Sequence, residues 1–466
     1  MHYQSLINGV LRDGAATLDV INPATEQVFA TAAQADEAQL NEAVAAAKKA
    51  FTAWSKTDIA ERREKLLAVA AAVEQQAEEF ARLVTMEQGK PLQLARREVA
   101  DAVGMLKFFS MMDLPDVVLK ESSKERIVQQ RKPLGVVAAI AAWNFPLQIL
   151  AAKVAPALIT GNTVVAKPAP TTPLSALLFA KVAAPILPPG VLNVIVDNND
   201  LGAALSGHPG VAKVTFTGST ATGRRVMSSA APSLKRLTLE LGGNDAAIVL
   251  DDADPAAIAR KIFLLAFINS GQTCIAIKRL YVPASLYDAV CDELVKVAAK
   301  AVVGDGLDEK TTLGPLQNKQ QFERVKGLIA DAKANGRLIA GGDVHAGKGY
   351  FIPPTLVRDI PDGARVVREE QFGPILPILA YDDLDDAVAR ANDSEFGLGA
   401  SVWTSNPSRG LAVAKRLEAG SVWVNNHTDI RADISFGGAK QSGIGVEMGQ
   451  HGLEEFTQAT VIYASA

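Results

Sequence analysis

The sequence predicts an α/β fold with doubly wound parallel sheets, and three observations support this fold class. Downstream of residue 134, continuous apolar runs that are typical of buried strands alternate with helical stretches. Such alternation indicates a parallel sheet with helices on both faces. The alternation restarts after residue 251, and the 466 residues of the chain are too many for one core. We therefore expect two doubly wound α/β domains.

The first predicted elements are alanine-rich helices with good helix propensity. Three of them are expected, at roughly 37–54, 59–88 and 92–112. A Gly-Lys-Pro sequence at 89–91 separates the second helix from the third. The ribbon at 121–132 follows, and its alternation of apolar and polar residues is typical of an exposed strand.

The alternating region then predicts strands and helices in turn. Strands are expected near 135–140, 163–166, 191–196, 213–217 and 246–250, and helices near 147–160, 173–185, 200–207 and 220–230. After residue 251 the expected elements are a helix at 255–270, a strand near 278–282, a helix at 285–302 and further units to about 440. The tail at 456–463 predicts a last strand, which together with the ribbon is a candidate for oligomerisation.

Composition and charge exclude several classes of function. Apolar residues make up 48% and charged residues 21%, which is ordinary for a globular protein. The net charge of −4 argues against a nucleic-acid partner. Two cysteines cannot form a disulfide framework, which favours a reducing cytoplasm. The N-terminus does not resemble a signal peptide, and the most apolar stretch, 134–167, contains Asn144 and Lys153, which are costly in lipid.

Two glycine-rich segments imitate nucleotide-binding motifs. Residues 218–225 have the glycine spacing of a P-loop but lack its Lys-Ser/Thr pair, so no nucleotide triphosphatase is expected. Gly443, Gly445 and Gly449 imitate a dinucleotide fingerprint, but no parallel strand precedes them. We interpret them as turn glycines.

The residues best suited to catalysis are a thiol and a carboxylate. Cys274 is flanked by Gly and small polar residues, which predicts a presented nucleophile, whereas Cys291 lies in an amphipathic helical stretch. Glu240 precedes a Gly-Gly turn and could activate water. This pairing suggests covalent catalysis followed by hydrolysis. An inert core thiol and a solvated turn glutamate remain the alternatives.

Three further polar residues follow predicted strands. In an open parallel sheet, ligands bind at the carboxyl ends of the strands. Asn144 could stabilise an oxyanion there, although taken alone it is more typical of a turn asparagine that caps a helix. Lys167 could hold ribose hydroxyls or phosphate, or be an ordinary exposed lysine. Ser219 could begin a helix whose free N–H groups bind a pyrophosphate, or be a plain N-cap.

Six motifs in order, spanning almost the whole chain, resemble those of the aldehyde dehydrogenase superfamily. They are Trp143-Asn144-Phe145-Pro146, Lys167-Pro168-Ala169, Phe216-Thr217-Gly218-Ser219, Glu240-Leu241-Gly242-Gly243, Gly271-Gln272-Thr273-Cys274 and Glu369-Glu370-Gln371-Phe372-Gly373-Pro374. The resemblance departs at Ala142, where the family has proline before the tryptophan.

The resemblance implies a function and a role for each matching residue. The chain would oxidise an aldehyde to the carboxylic acid with NAD or NADP, by way of a thiohemiacetal and a thioester on Cys274. Asn144 and the Cys274 backbone N–H would stabilise the oxyanion, and Glu240 would activate the hydrolytic water. The cofactor would be held by Trp143, Lys167, Gly218, Ser219, Glu370 and Phe372. No metal is expected.

The resemblance also narrows the substrate and the cofactor. Relatives that oxidise succinic semialdehyde have arginines where this chain has Ala152 and Ile268. We therefore expect a neutral aliphatic or aromatic aldehyde, with Arg431 as the one nearby cation. The aldehyde would contact Phe145, Ile149, Thr273, Ile275, Ile430 and Phe436. Pro170 stands where NAD-preferring relatives often have an acid, which predicts that NADP is accepted and even preferred.

The resemblance implies three structural parts and a homodimer or homotetramer. Residues 1–116 and 134–245 would form the dinucleotide-binding domain, 246–442 the catalytic domain, and 117–133 with 443–466 a small β oligomerisation element. Two alternatives remain open. One is a CoA-acylating aldehyde dehydrogenase, against which the retention of Glu240 counts, and the other is a non-catalytic family member.

Overall fold

A computed structural model describes residues 1–344 and 347–465. Five strands open the chain, so the prediction that helices come first was wrong. The first elements are β1 (His2–Tyr3), β2 (Ser5–Ile7), β3 (Val10–Arg12), β4 (Ala16–Asn22), β5 (Gln27–Gln34), α1 (Glu37–Trp54), α2 (Ile59–Gln75), α3 (Ala77–Gln88) and α4 (Leu92–Ser110). Four helices replace the predicted three, because Gln76 leaves helical geometry at φ −111° and ψ 19°.

The central part of the chain follows the predicted alternation of strands and helices closely. Its elements are β6 (Val117–Glu121), β7 (Glu125–Pro133), β8 (Val136–Ile140), α5 (Pro146–Ile159), β9 (Thr163–Lys167), α6 (Leu174–Ala183), β10 (Leu192–Val194), α7 (Gly202–Gly207), β11 (Lys213–Thr217), α8 (Thr220–Ala230) and β12 (Arg236–Glu240). A short 3₁₀ turn at Ala231–Ser233 lies before β12.

The last part repeats the alternation. Its elements are β13 (Ala246–Val249), α9 (Pro255–Phe267), a 3₁₀ turn (Ile268–Gly271), β14 (Arg279–Pro283), α10 (Tyr287–Ala298), α11 (Lys319–Asn335), β15 (Arg337–Ala340), β16 (Thr355–Arg358), α12 (Arg365–Arg368), β17 (Ile375–Tyr381), α13 (Leu384–Asn392), β18 (Phe396–Gly397), β19 (Gly399–Trp403), α14 (Pro407–Ala414), β20 (Ser421–Val424), β21 (Ala439–Lys440), β22 (Gly443–Ile444), α15 (Gly449–Glu454) and β23 (Thr457–Ser465). Over the described residues, no helix is long and apolar enough to cross a membrane.

The first large sheet has eight strands in the order β22-β12-β11-β8-β9-β10-β2-β3. Its five central strands are parallel. From β8 the chain proceeds to β9 and β10 on one side, and then returns to β11 and β12 on the other. The strand order therefore reverses between β8 and β11, and such a switch point is where open α/β sheets bind their ligands.

The second large sheet has seven strands in the order β15-β16-β17-β14-β13-β19-β20. All its pairs are parallel except the one between β15 and β16. Each sheet is covered on both faces, because neighbouring residues of one strand enter different hydrophobic clusters. In β13, for example, Ile248 packs in one cluster and Val249 in another. These buried faces explain the continuous apolar runs of the sequence.

A three-stranded antiparallel sheet forms from the predicted ribbon and the predicted tail strand. The central strand β7 pairs with β6 on one side and with β23 on the other, from Thr457 opposite Pro133 to Ser465 opposite Glu125. The segment at 443–445 is not a simple turn, since β22 joins the edge of the first large sheet with Gly443 opposite Glu240. The interpretation of these glycines as turn residues was therefore wrong for Gly443.

Candidate active site

Four strands of the first sheet end in register at one edge. Ile140 of β8 is opposite Lys167 of β9, and Thr217 of β11 is opposite Glu240 of β12. Ile140 is also paired with Phe216 of β11. The predicted polar residues that end or follow these strands therefore meet at the carboxyl edge, on both sides of the switch point.

Asn144 is buried in the turn between β8 and α5. Its side chain does not cap α5, whose N-cap residue is Phe145. Instead, the Asn144 amide Nδ2 donates to the backbone oxygen of Gln272 at 3.1 Å. The capping alternative is thus excluded, and the amide faces the segment that carries Cys274.

The segment before Cys274 has a strained backbone. The helix predicted to reach residue 270 ends at Phe267, and Asn269, Ser270 and Gly271 all have positive φ, at 53°, 56° and 74°. Non-glycine residues reach this region only when their surroundings hold them there. The Ser270 hydroxyl donates to the Gly314 oxygen at 2.7 Å. A side chain on Gly271 would lie 2.2 Å from the Gly373 oxygen, so glycine is required.

The Cys274 thiol is half-buried. Burial raises its pKa to about 12, although the nearby Lys278 ammonium acts in the opposite direction. That ammonium donates to the backbone oxygens of Thr273 and Cys274 at 2.9 and 2.5 Å. On balance the surroundings favour the protonated thiol, which must lose its proton before it can attack.

Glu240 ends β12 and is buried, which excludes a solvated turn glutamate. Neither of its carboxyl oxygens has a hydrogen-bond partner among the described residues. Its pKa is raised well above the usual value, first by burial and then by the charge of Glu447, whereas Lys153 lowers it. A carboxyl with a raised pKa holds its proton to higher pH than an ordinary glutamate does.

A buried polar network lies next to Glu240, and sequence reasoning missed it. The Lys153 ammonium donates to Glu447 at 2.5 Å and to Thr215 at 3.2 Å, and the Thr215 hydroxyl donates to Glu447 at 2.9 Å. Lys153 carries a signal that could have found it, because it is a charged residue inside the otherwise apolar helix α5. Glu447 carries none, since it lies within the segment 443–449 whose glycines were interpreted as turn glycines.

The cofactor-side lysine is paired with an acid. Lys167 Nζ lies 2.5 Å from Asp197 Oδ1, and both side chains are buried. The other Asp197 oxygen accepts from the Leu201 N–H at 2.8 Å. Asp197 follows β10, the neighbour of β9, so the carboxylate missing at Pro170 is supplied from another strand.

Gly218 and Ser219 begin the helix after β11. The Gly218 N–H donates to the Glu240 backbone oxygen at 3.0 Å. Ser219 is the N-cap of α8, since its hydroxyl oxygen accepts from the Thr222 N–H at 3.2 Å. The capping role left open for Ser219 is therefore observed, and it places the amino end of α8 at the edge that holds Glu240.

Glu370 and Phe372, which precede β17 of the second sheet, also lie at the carboxyl edge of the first sheet. Glu370 Oε1 accepts from the Gly243 N–H at 2.9 Å and lies 3.9 Å from Lys278 Nζ. The Phe372 ring is edge-on to the Trp143 ring, with centroids 5.3 Å apart. Residues predicted to hold the cofactor from both halves of the chain thus lie against each other.

The predicted substrate residues fall into two groups. Ile275 and Phe436 are buried in the hydrophobic cluster against which Ile430 and Cys274 pack. Phe145 and Ile149, at the start of α5, are half-buried. Thr273 is buried next to the nucleophile and its hydroxyl donates to the Ile268 oxygen at 3.4 Å.

Arg431, the cation near this cluster, is not free. Its Nε and a terminal nitrogen donate to the two carboxyl oxygens of Asp433 at 3.0 and 2.9 Å. Both side chains are about half exposed, so this pair is screened by water and holds the guanidinium only weakly.

Comparison with known proteins decides the family. The sequence pattern of the Aldehyde dehydrogenase family matches residues 10–462. A probable aldehyde dehydrogenase from a Pseudomonas species is 43% identical over 457 residues, which cover 96% of this chain and 93% of that relative. The chain belongs to the aldehyde dehydrogenase family.

Solved structures of aldehyde dehydrogenases and related enzymes share its fold. An NADP-dependent enzyme from E. coli matches with a TM-score of 0.97 and 36% identity, over 100% of this chain and 98% of that one. The NAD⁺ complex of an aldehyde dehydrogenase from Bacillus cereus matches with a TM-score of 0.97 and 37% identity, over 100% and 97%. The predicted α/β aldehyde dehydrogenase fold and the activity class, oxidation of an aldehyde with NAD or NADP, are therefore confirmed.

Proposed function

We propose that this chain oxidises a neutral aldehyde to the carboxylic acid through a thioester on Cys274. The observation that carries the proposal is the hydrogen bond from Asn144 to the oxygen of Gln272, two residues before Cys274. It joins the carboxyl edge of the first sheet to the nucleophile's segment. The Cys274 sulfur adds to the aldehyde carbon after losing its proton, and the Asn144 amide donates to the oxyanion of the thiohemiacetal.

Glu240 is the proposed base of the hydrolytic step. Because burial raises the pKa of the resting thiol to about 12, Cys274 must first lose its proton before it attacks. After the thioester has formed, the Glu240 carboxylate removes a proton from the attacking water, and the carboxylic acid leaves as Cys274 regains a proton. Glu447 and Lys153 set the pKa of Glu240 from opposite directions and so set the pH range in which it works.

The residues present fit NAD or NADP. Glu370 is a half-buried carboxylate whose partners leave it free to accept from ribose hydroxyls, and the Trp143 and Phe372 rings offer flat apolar surface. Lys167 and Ser219 would hold the adenosine half at the switch point. When bound, the cofactor supplies the hydride acceptor that the thiohemiacetal needs.

Asp197 makes NAD the better fit of the two cofactors, contrary to the expectation from Pro170. The 2′-phosphate of NADP needs an unpaired cation near the ribose, whereas Lys167 is already paired with a buried carboxylate. The same carboxylate repels a phosphate and can accept from a ribose hydroxyl. We therefore propose that NAD is preferred and that NADP is accepted less well.

The surroundings of Cys274 favour an uncharged substrate tail. Apolar side chains of the hydrophobic cluster pack against Cys274, and Arg431 is paired with Asp433. A carboxylate tail would have to compete with Asp433 for the Arg431 guanidinium. Neutral aliphatic or aromatic aldehydes need no such exchange.

A panel of aldehydes tested with each cofactor checks this function through the absorbance of the reduced nicotinamide. We expect neutral aldehydes to be oxidised with a higher kcat/KM than succinic semialdehyde, and a Cys274→Ala variant to be inactive. Product analysis with and without CoA separates the alternatives. An acyl-CoA product would establish the acylating reaction, and no turnover with any aldehyde would establish a non-catalytic protein.

The three-stranded sheet is the proposed contact between copies of the chain in a homodimer or homotetramer. It exposes large apolar side chains that a monomer would leave in water, namely Val117, Val118, Leu119, Val461, Ile462 and Tyr463. Light scattering of an Ile462→Lys variant should show smaller particles than the parent protein.

With one half-exposed and one buried thiol, the chain suits a reducing cytoplasm.

A further inference from the structure

A fully buried ion pair lies beneath the turn that carries Asn144, and it takes no part in the chemistry proposed above. Lys90 and Glu98 have no exposed side-chain surface, and the ammonium donates to the Glu98 carboxylate. Lys90 follows the left-handed Gly89 in the break between α3 and α4, and Glu98 lies within α4. Burying two charges costs free energy unless other groups compensate for the lost water. The groups that bind this pair therefore indicate what it does.

The first partner is the backbone of Asn144. The Lys90 ammonium donates to the Asn144 backbone oxygen at 2.7 Å and lies 3.7 Å from the centre of the Phe145 ring. The same backbone oxygen accepts from Asn269 Nδ2 at 3.0 Å. Two donors, one of them a buried cation, therefore fix the peptide that carries the Asn144 amide.

The second partner is the amino end of α5. Glu98 Oε1 accepts from the N–H groups of Leu147 and Gln148 at 2.9 and 3.3 Å. Phe145, the N-cap residue, offers no side-chain acceptor, so Glu98 supplies the cap from another helix. A carboxylate at this end also interacts favourably with the helix dipole.

The Lys90 turn is itself attached to the segment that carries the nucleophile. A side chain on Gly314 would lie 2.0 Å from the Gly89 oxygen, so the two backbones are in direct contact. Ser270, four residues before Cys274, donates to the Gly314 oxygen. The ion pair thus lies where the Asn144 turn and the Cys274 segment meet.

We propose that Lys90 and Glu98 are positioning residues that hold the Asn144 amide at the oxyanion formed on Cys274. The proposal rests on the function proposed above and adds two residues to it. Neither side chain touches the reacting atoms. Both act by fixing the backbone of residues 144–148. Their effect is large because a displacement of the Asn144 amide by about 1 Å costs roughly 100-fold in rate.

A double-mutant cycle with Asn144 tests this role. In the full-length protein, Lys90→Met should lower kcat about 100-fold and leave KM nearly unchanged, since the oxyanion contact exists only in the transition state. In an Asn144→Ala background the same change should cost at most about 3-fold, because its target is gone. A full loss in both backgrounds would overturn the proposal.

A second variant separates positioning from folding. Lys90→Met with Glu98→Gln removes both charges and keeps an acceptor for the Leu147 and Gln148 N–H groups. Its melting temperature should recover towards the parent value while kcat stays low. If kcat recovers together with the melting temperature, the pair is only structural.

Lys213 provides the matched control. It is also a buried lysine, with Glu455 as its acidic partner at 3.5 Å and the Phe456 ring 5.1 Å away, but it begins β11 at the opposite edge of the sheet. Lys213→Met should lower the melting temperature but change kcat far less than Lys90→Met does. The parent protein and Asn144→Ala test the proposed function separately. If the parent oxidises no aldehyde, that function fails, whereas a Lys90 effect equal to that of Lys213 contradicts only the positioning role.

Discussion

The two large sheets are built alike but contribute to the site from opposite edges. In the first sheet, Lys167 and Glu240 end parallel strands at the carboxyl edge, where the switch-point rule places ligands. In the second, Cys274 precedes β14 and Phe372 precedes β17, so both lie at amino ends of strands. At the carboxyl edge of the second sheet, Asp252 and Asn406 take no part in the site, whereas the segment after β20 contributes Ile430. The site therefore forms mainly where the carboxyl edge of one sheet meets the amino edge of the other.

The largest effect expected from this comparison concerns the two thiols of the second half of the chain. Burial raises the pKa of Cys274 and of Cys291 alike to about 12, so acidity does not distinguish them. Cys274→Ala should lower kcat/KM by at least about 10⁴-fold, because the covalent route is lost. Cys291→Ala, inside α10, should leave activity within about 2-fold. Equal losses in the reduced-nicotinamide assay would remove the distinction between the two regions.

A pair of asparagines tests the two carboxyl edges directly. Asn144 follows β8 and Asn406 follows β19, but the Asn406 side chain caps α14 by accepting from the Arg409 N–H at 3.2 Å. Asn144→Ala should lower kcat by about 10² to 10³-fold through loss of an oxyanion donor. Asn406→Ala should instead cost about 1 kcal/mol of stability and leave kcat unchanged. Denaturation measures the stability of the two variants, and steady-state assays measure their kcat. A loss of kcat in Asn406→Ala would contradict the account, because Asn406 lies outside the proposed site.

Asp197 should set cofactor preference at the first sheet's edge. Asp197→Asn keeps an acceptor for the Leu201 N–H but removes the charge facing Lys167. We expect the ratio of kcat/KM for NADP to that for NAD to rise by about 10-fold, since a like charge no longer opposes the 2′-phosphate. Steady-state kinetics with both cofactors measure this ratio. A parent enzyme that prefers NADP would contradict the role of Asp197 and support the expectation drawn from Pro170.

The smallest expected effect is a pair of opposite shifts in the pH profile. The Glu447 charge raises the pKa of Glu240, and the Lys153 charge lowers it. Glu447→Gln should therefore move the acid limb of kcat to lower pH, and Lys153→Met should move it to higher pH. The limb reports the deprotonated base, so activity falls as the pH drops below its pKa. If both variants move the acid limb in the same direction, a group other than Glu240 controls the pH profile.

The same comparison explains what the sequence could predict. Buried parallel strands are visible as apolar runs, so the carboxyl edge with Asn144 and Lys167 followed from strand ends. The strand β12, which ends at Glu240, was not predicted. Nothing in periodicity places Cys274 or Glu370 at that edge, because amino ends of strands follow no such rule, and only the ordered motifs indicated them.

Other features had no local signal at all. The opening strands β1 to β3 have only two or three residues each, β4 lies at a sheet edge, and the break at Gln76 occurs without glycine or proline. Glu447 reaches the buried network through pairing of residues distant in the chain, with its backbone bonded to Phe436. Tertiary contacts of this kind override local propensity.

The most direct test of the central claim is intact-mass analysis of a Glu240→Gln variant mixed with aldehyde and NAD. Glu240 activates the water in this account, so its amide should leave the thioester unhydrolysed. We expect a mass increase of one acyl group, located on the peptide that contains Cys274, and one burst of reduced cofactor per active site. Steady turnover at the parent rate, or an acyl group on any other residue, would contradict the account.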